Sequence, residues 1–299
     1  MTPLQRYIAE EIATDHVDGL LSRREALRRL ALLGVGTAAA TALIAACGEE
    51  KKTTPEPSTT SGPPAPPPGA EHTVPTVAVK WPGPNGELSA AWAEASNARG
   101  GVLVIHENRG LNDWVRSVAA RLAGAGYSAL AIDLLSEEGG TATFTDPAQA
   151  TAALGNVPPE RFVADLKSGV DEVQRRVPDK KLAVVGFCFG GGLVWRLLAS
   201  GEPRLAAAVP FYGPLPDNPD FSGSKQAAVL AFYGSLDTRV TSSEQAAKAA
   251  LDRAGMISDL VVEQNADHAF FNDTGPRYNA AASADAWKRL NDWLSRYVG

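Results

Sequence analysis

From about residue 74 to the carboxyl terminus, short apolar runs alternate with longer stretches whose apolar residues recur every three or four positions. GVLVIHE (101–107) is a continuous apolar run of the kind found in strands that are buried on both faces. LAVVGF (182–187) and AVLAFYG (228–234) are further predicted strands. Repeated strand–helix units favour a mostly parallel sheet with helices on both faces. The sequence therefore predicts one α/β domain over residues 74–299.

The remaining predicted elements follow the same alternation. Helix 242–254 is predicted to begin with a capping box of Thr241 and Glu244. The polar, glycine-rich segment 137–150 is interpreted as a mobile loop near the active site. The other predicted strands are 76–81, 87–94, 127–133, 205–212 and 259–264, and the other helices are 113–125, 159–176, 191–200 and 278–297.

Composition excludes several classes of function. The formal net charge of −6, with no basic stripe in the domain, argues against a nucleic-acid partner. The chain has no HExxH motif, no Cys/His cluster and no phosphate-binding loop, so we expect neither a metal nor another cofactor. The two cysteines, Cys47 and Cys188, are each assigned a separate function below, and we therefore expect no disulfide.

The amino terminus has the pattern of an export signal. Basic residues at 22–30 (SRREALRRL) precede an apolar run at 31–46 and then Cys47. The pair Arg23-Arg24 resembles a twin-arginine motif, and the residues before Cys47 resemble a lipobox. We therefore expect residues 1–46 to be a lipoprotein signal peptide, with Cys47 lipidated. The alternative is an amphipathic amino-terminal helix, and no motif explains residues 1–21.

Residues 48–70 are rich in proline, serine, threonine and glycine and could contribute almost nothing to a core. The sequence therefore predicts that residues 47–73 form a lipidated cysteine followed by an extended, disordered tether. Such a tether would hold the folded domain at the extracytoplasmic side of a membrane.

The hexapeptide GFCFGG (186–191) has the form of a nucleophile elbow, in which a reactive side chain sits on a tight strand-to-helix turn. Small residues such as Gly186 and Gly190 give that turn room. Cys188 would lie at a helix amino terminus, where the helix dipole lowers the pKa of a thiol. The alternative is a buried structural cysteine.

A nucleophile needs a base, and the base needs an acid that orients it. Asp237 and His268 follow Cys188 in that chain order, and each comes just after a predicted strand. Singly, Asp237 could be a helix cap and His268 a structural residue. The order and the shared sheet edge favour a triad.

The loop HENRGL (106–111) follows a buried strand and supplies two further candidates. The backbone N–H groups of Asn108 and Phe189 are candidates for an oxyanion hole. The carboxylate of Glu107 would raise the pKa of a nearby thiol and so control its charge. The alternative for Glu107 is a surface salt bridge.

HENRGL, GFCFGG, the aspartate of GSLDTRV and the histidine of DHAFFND, in this order, resemble the dienelactone hydrolase family of α/β hydrolases over residues 74–299. The resemblance implies an α/β-hydrolase fold with Cys188, Asp237 and His268 as the triad. It also implies that Glu107 controls the charge of the cysteine until substrate binds.

One position departs from the family. The arginine that contacts the substrate carboxylate four residues after the histidine is replaced by Asn272. Arg277 or Arg109 could substitute for it. We expect Phe189 and Phe270, each next to or near a triad residue, to be the aromatic residues that touch substrate. This departure argues against dienelactone itself and favours another small ester or lactone.

The expected reaction is hydrolysis through a thioester, with His268 as base and water as the final acceptor. We expect a monomer whose partners are a small-molecule substrate and, through the lipid anchor, a membrane. Two alternatives stay open: an acyltransferase or thioesterase with the same triad, and a binding module without activity.

Overall fold

The computed structural model describes the backbone of residues 1–50 and 66–299, and the side chains of residues 1–46 and 66–299. The strands are β1 (Val77–Pro82), β2 (Glu87–Ala93), β3 (Gly100–Ile105), β4 (Tyr127–Asp133), β5 (Leu182–Phe187), β6 (Leu205–Phe211), β7 (Ala228–Gly234) and β8 (Ser258–Glu263). The helices are α1 (Pro3–Val17), α2 (Arg23–Leu32), α3 (Thr37–Glu50), α4 (Asp113–Gly124), α5 (Pro147–Asn156), α6 (Pro159–Arg176), α7 (Phe189–Ala199), α8 (Thr238–Thr241), α9 (Glu244–Arg253) and α10 (Ala280–Tyr297).

The strands form one sheet of the α/β-hydrolase fold, in the order β1-β2-β4-β3-β5-β6-β7-β8. The pairs β1–β2 and β2–β4 are antiparallel, and every pair from β4–β3 to β7–β8 is parallel. The carboxyl ends of β3, β5, β7 and β8 therefore lie along the same edge, where the loops that follow them can meet.

Helices cover both faces of the sheet, as the alternating strand–helix pattern predicts. Side chains alternate along each strand, so neighbouring residues face opposite layers. A Cβ on Gly101 would approach Val173 of α6, whereas one on Gly100 would approach Val298, just after α10. In the same way Phe187 packs on Trp114 of α4. Thus α6 and α7 cover one face, and α4 and α10 cover the other.

Most predicted elements are present within one or two residues, but the start of helix 242–254 is wrong. Instead of a capping box with Glu244, the hydroxyl of Thr241 donates to the carbonyl of Gly234. The short helix α8 takes up these residues, and its first turn is capped by the carboxylate of Asp237, which accepts from the N–H of Val240. Part of the predicted loop 137–150 is also helical, because α5 begins at Pro147.

The amino-terminal residues fold against the domain as three helices. Thr2 and Gln5 form a capping box at the start of α1. Ile8 of α1 and Leu33 lie over Gly155 of α5, where a Cβ would approach Leu33 within 2.5 Å. Among the described helices, none is both long and apolar enough to cross a membrane.

The described part of the predicted tether also contacts the domain. Gly69 has a positive φ of 80° and lies so close to Trp287 that a Cβ would come within 2.4 Å of the indole. Residues 51–65 and the side chain of Cys47 lie outside what the structure describes, so lipidation of Cys47 stays a prediction.

Candidate active site

The site lies at the carboxyl edge of the parallel strands. Glu107 follows β3, Cys188 follows β5, Asp237 follows β7 and His268 follows β8. All four side chains are at least nine-tenths buried. The topology thus brings together four residues that are far apart in sequence.

Cys188 occupies a strained turn between β5 and α7. Its φ of 55° and ψ of −118° lie in a region that non-glycine residues rarely adopt. The turn is possible because a Cβ on Gly186 would come within 2.3 Å of the carbonyl oxygen of Gly190, and one on Gly190 within 2.5 Å of that of His106. These contacts explain the glycines of GFCFGG and fix where the thiol points.

His268 is oriented by Asp237. The Nδ1 atom of His268 lies 2.6 Å from Oδ2 of Asp237, and both side chains are buried. With Nδ1 held by this carboxylate, Nε2 is the ring atom that faces Cys188. The ligand atoms of Cys188, His268 and Glu11 all lie within 4.8 Å of one another.

Two residues of α1 also enter the site, and neither of them was predicted from the sequence as a site residue. The hydroxyl of Tyr7 lies 3.3 Å from Sγ of Cys188 and 3.4 Å from Nε2 of His268. Glu11 places Oε1 3.1 Å from Nε2 of His268, and its Oε2 accepts from the Cys188 thiol at 3.6 Å. Tyr7 and Glu11 are therefore both in direct contact with the thiol, and Glu11 is the charged one of the two.

Two carboxylates flank the imidazole, one at each nitrogen. Burial alone would lower the pKa of His268, but the charges of Glu11 and Asp237 outweigh it and raise that pKa well above its usual value. Carboxylates only accept hydrogen bonds, so both ring nitrogens carry protons. In this arrangement His268 is an imidazolium ion.

Cys188 is held as a neutral thiol. Burial and then the charge of Glu11 raise its pKa to about 11, and the opposing charge of His268 does not compensate. The helix dipole of α7 was expected to lower this pKa. Desolvation prevails because α1 covers the thiol.

Glu107 is buried beside the thiol rather than in a surface salt bridge. Its Oε2 accepts from Nδ2 of Asn272 at 2.8 Å, and its Oε1 accepts from the hydroxyl of Tyr212 at 3.5 Å. Burial raises its pKa to about 7. Asn272, which stands where the family resemblance predicts an arginine, thus binds the carboxylate of Glu107. The charge of Glu107 adds a smaller rise to the pKa of Cys188.

The arginines around the site mostly pair with α1. Arg277 lies 2.9 Å from Asp15 and 2.5 Å from Asp18. Arg239, which the sequence analysis did not select, lies 3.3 Å from Glu11 and stacks its guanidinium 4.7 Å from the ring centre of Tyr7. Arg109 is exposed, and its charge acts on Asp15 and Glu107.

The other predicted residues differ in their placement. Asn108 is half-buried in the loop after β3, and Phe189 begins α7. The ring of Phe189 packs into the core against Phe162, so its backbone N–H is the part that is available to the site. Phe270 is fully buried and packs edge-on against Tyr212.

A cavity of about 640 Å³ adjoins the site. It lies between α1 with α3 and the loop after β7, and it reaches His268 and Asp237. Cys188 is not among the described residues that line it. The cavity therefore reaches His268 but not the thiol of Cys188.

Glu11, Cys188 and His268 are a set of side chains that could hold a metal ion. A thiolate, an imidazole and a carboxylate would suit Zn²⁺. Nε2 of His268 already contacts Glu11, so a metal ion that bound this nitrogen would have to replace that hydrogen bond.

The sequence offered one signal for the missed residues of α1. Residues 1–21 contain a capping box, an apolar face and four acidic residues, Glu10, Glu11, Asp15 and Asp18. That combination predicts an amphipathic helix that could dock on a basic surface. Its docking place could not be inferred without the fold.

Comparisons with known proteins show which proteins this chain is similar to. The model of the dienelactone hydrolase family matches residues 88–298. A candidate carboxymethylenebutenolidase of Escherichia coli O157:H7 is 34% identical over 210 residues, which is 66% of this chain and 77% of that protein. The crystal structure of a candidate dienelactone hydrolase from Klebsiella pneumoniae is 30% identical with a TM-score of 0.65, covering 74% of this chain and 99% of that one. A dienelactone hydrolase-like promiscuous phosphotriesterase from metagenomic libraries is 28% identical with a TM-score of 0.62, covering 75% and 99%.

Proposed function

Because the chain belongs to the dienelactone hydrolase family and is an ester or lactone hydrolase, we propose that it acts through Cys188, His268 and Asp237 by way of a thioester. The observation that carries the proposal is the 2.6 Å contact between His268 and Asp237, next to a thiol on a strained elbow. A nucleophile, a base and an orienting acid at one sheet edge make up the set that acyl transfer needs.

In the proposed first step, Nε2 of neutral His268 takes the proton from Cys188 while Asp237 holds the opposite nitrogen. The sulfur attacks the carbonyl carbon, and negative charge develops on the carbonyl oxygen. The backbone N–H groups of Asn108 and Phe189 would stabilise that charge. Support for Phe189 comes from its position at the start of α7, where N–H groups have no partner within the helix.

Collapse of the tetrahedral intermediate breaks the ester C–O bond, and the alkoxide leaves with the proton from His268. The acyl group is now bound to Cys188 as a thioester. Water, deprotonated by His268, attacks this thioester and releases the acid and the free thiol. Atoms and charges balance with water as the only co-reactant.

The substrate is proposed to be a small ester or lactone other than dienelactone itself. The amide of Asn272 binds Glu107 and carries no charge for a substrate carboxylate. Arg277 is occupied by Asp15 and Asp18 in this arrangement. Because one relative is described as a promiscuous phosphotriesterase, an aryl phosphotriester belongs in the substrate panel.

The test is hydrolysis of an aryl ester, a lactone and a phosphotriester by the full chain and by Cys188→Ala, with mass spectrometry of the stalled acyl-enzyme. Mass added to the Cys188 peptide, and turnover that is lost in the variant, would support the thioester. Unchanged turnover in the variant would exclude it. Acyl transfer to an added alcohol or thiol at the expense of water would reassign the protein as an acyltransferase. No turnover and no acyl adduct would favour the binding module.

We also propose that the protein is an exported monomer that is anchored at the extracytoplasmic side through a lipid on Cys47. The support is the order of the basic, apolar and cysteine segments at residues 22–47. Labelling of cells with a fatty-acid analogue tests it, because Cys47→Ser should abolish incorporation. Light scattering of detergent-free Cys47→Ser protein tests the monomer.

A further inference from the structure

We propose that α1 is an intramolecular inhibitor that occupies the catalytic site, so that hydrolysis requires its withdrawal. The inference rests on the proposed function, because it concerns access to the same thiol and base. The family match begins at residue 88, so α1 lies outside the part of the chain that matches the family.

The helix α1 blocks access to the thiol and to His268. Cys188 is only 2% exposed and His268 only 3% exposed while α1 is in place. The hydroxyl of Tyr7 lies within hydrogen-bonding distance of both the thiol and Nε2 of His268. A carbonyl carbon has to come close to the sulfur from the side that Tyr7 and Glu11 occupy. An ester therefore cannot reach the thiol until these side chains leave.

Glu11 of α1 also opposes the proposed role of His268 as a base. The base must offer the lone pair of Nε2 to the thiol proton, but Glu11 lies 3.1 Å from that atom and stabilises its protonated form. Asp237 holds Nδ1 in the same way. A histidine that is protonated on both nitrogens cannot accept another proton. Glu11 thus removes the base as well as covering the nucleophile.

The acidic residues of α1 are complementary in charge to the domain surface on which the helix lies. Glu11, Asp15 and Asp18 recur at three- and four-residue spacing, so they lie on one face of α1. They meet Arg239 and Arg277 of the domain. These pairs are largely shielded from solvent, which strengthens the attraction between the charges and also costs desolvation of each group. The helix is bound by residues that surround the active site.

Other residues of α1 also pack against the domain and hydrogen-bond to it. Ile8 packs above Gly155, a position where a side chain would displace Leu33. Gln5 donates to Asn156 at 3.2 Å, and Arg28 of α2 pairs with Asp146 at 2.8 Å. The helices α1 and α2 therefore dock together on α5 and on Asp146, the residue just before it. Cleavage just before Cys47, as expected for a lipoprotein signal peptide at residues 1–46, would remove α1 and its inhibition together.

The experiment uses the full chain, with Cys47→Ser to leave one thiol and a protease site inserted within residues 51–65. Aryl-ester hydrolysis and the rate of Cys188 alkylation by iodoacetamide are measured before cleavage, after cleavage, and after the released fragment has been removed by gel filtration. We expect both rates to rise at least about tenfold once the fragment is removed. Adding the fragment back should restore the low rates.

The outcomes separate the two proposals. Equal rates of hydrolysis and of alkylation before and after removal would overturn the inhibition, even if Cys188→Ala confirms the nucleophile. Faster alkylation without any hydrolysis would support occlusion and count against the proposed function. Loss of hydrolysis in a domain that keeps its circular dichroism spectrum would make α1 part of the catalytic machinery and overturn the inhibition.

Point variants in the uncut chain keep the inference testable if the cleaved domain unfolds. Glu11→Gln removes the charge next to His268, and we expect at least about fivefold faster hydrolysis and alkylation. Glu10→Gln is the matched control, because it removes the same charge from the same helix at a residue that lines the cavity. The double change Asp15→Asn with Asp18→Asn should act like Glu11→Gln by weakening the attachment to Arg277. Unchanged rates of hydrolysis and alkylation in both Glu11→Gln and the double variant would overturn the proposal.

Discussion

Glu11 and Asp237 bind opposite nitrogens of the same imidazole, at 3.1 Å and 2.6 Å from His268. Asp237 comes from the loop after β7, and Glu11 comes from a helix outside the matched family region. One carboxylate orients the proposed base, and the other keeps it protonated. The predictions below follow from this pair and from the buried groups around it.

The first prediction concerns the nucleophile. Cys188→Ala should reduce ester hydrolysis by at least about 10³-fold, because no other group at the elbow can form the thioester. Initial rates with an aryl ester check this, and Cys47→Ser is the control that should retain full activity. Residual activity above about a tenth of the unchanged protein would contradict the mechanism.

The second prediction concerns the orienting acid. Asp237→Asn should lower kcat by about 10² to 10⁴-fold, because an amide no longer stabilises the imidazolium that forms during attack. The amide oxygen can still cap α8 by accepting from Val240, so circular dichroism should still show a folded domain. A large loss of stability together with the loss of activity would indicate a structural role instead.

The third prediction is a shift in the pH–rate profile. With α1 docked, the pKa of His268 is raised well above its usual value, so the base becomes available only as the pH rises through that raised pKa. Glu11→Gln removes one of the stabilising charges and should move the acidic limb of kcat/KM to lower pH. Glu10→Gln should leave the limb in place. Coincident limbs in all three proteins would mean that Glu11 does not set the protonation of His268.

The fourth prediction concerns Glu107 and stability. Burial raises its pKa to about 7 from an ordinary value near 4.5. Between these values the unfolded state loses its proton first, so the unfolded state is favoured as pH rises and stability falls across this window. Glu107→Gln removes this contribution, and its stability relative to the unchanged protein should increase by about 3 kcal/mol between pH 4 and pH 8. Urea unfolding at several pH values measures the difference. The same dependence of stability on pH in the two proteins would contradict the raised pKa of Glu107.

The fifth prediction concerns Asn272. Asn272→Ala leaves one oxygen of Glu107 without its 2.8 Å hydrogen bond and should cost about 1–3 kcal/mol of folding free energy. It should also raise the pKa of Glu107 further, because that hydrogen bond favours the charged form. Titration of Glu107 by difference infrared spectroscopy in the two proteins tests this, and Asn279→Ala in the cap of α10 is a control for general loss of stability.

Much of the domain could be predicted from local patterns. The strand β4 and the helix α6 have the predicted bounds, because continuous apolar runs and a proline-led amphipathic stretch are strong signals. The elbow and the order of its partners also identified the residues that meet at the sheet edge. A helix cap was considered for Asp237 only as the alternative to the triad, whereas one carboxylate oxygen caps α8 and the other contacts His268.

The docking of α1 could not have been predicted in the same way. Its capping box and acidic residues define a helix, but its partners Arg239 and Arg277 lie more than two hundred residues away in sequence. Only the assembled sheet edge brings those arginines next to Cys188. The pKa of the thiol could not be assigned from the dipole of α7 and the charge of Glu107 alone for the same reason, because the effect of burial depends on a helix whose position was unknown.

The packing of α1 on the folded domain has a thermodynamic consequence. A segment that binds only the folded state stabilises it as a ligand does, and a covalent link supplies that ligand at high effective concentration. The uncut chain should therefore melt at a higher temperature than the cut and purified domain. The difference between the two melting curves would report the affinity of the helix for the site without any substrate, and proteolytic maturation would exchange stability for activity.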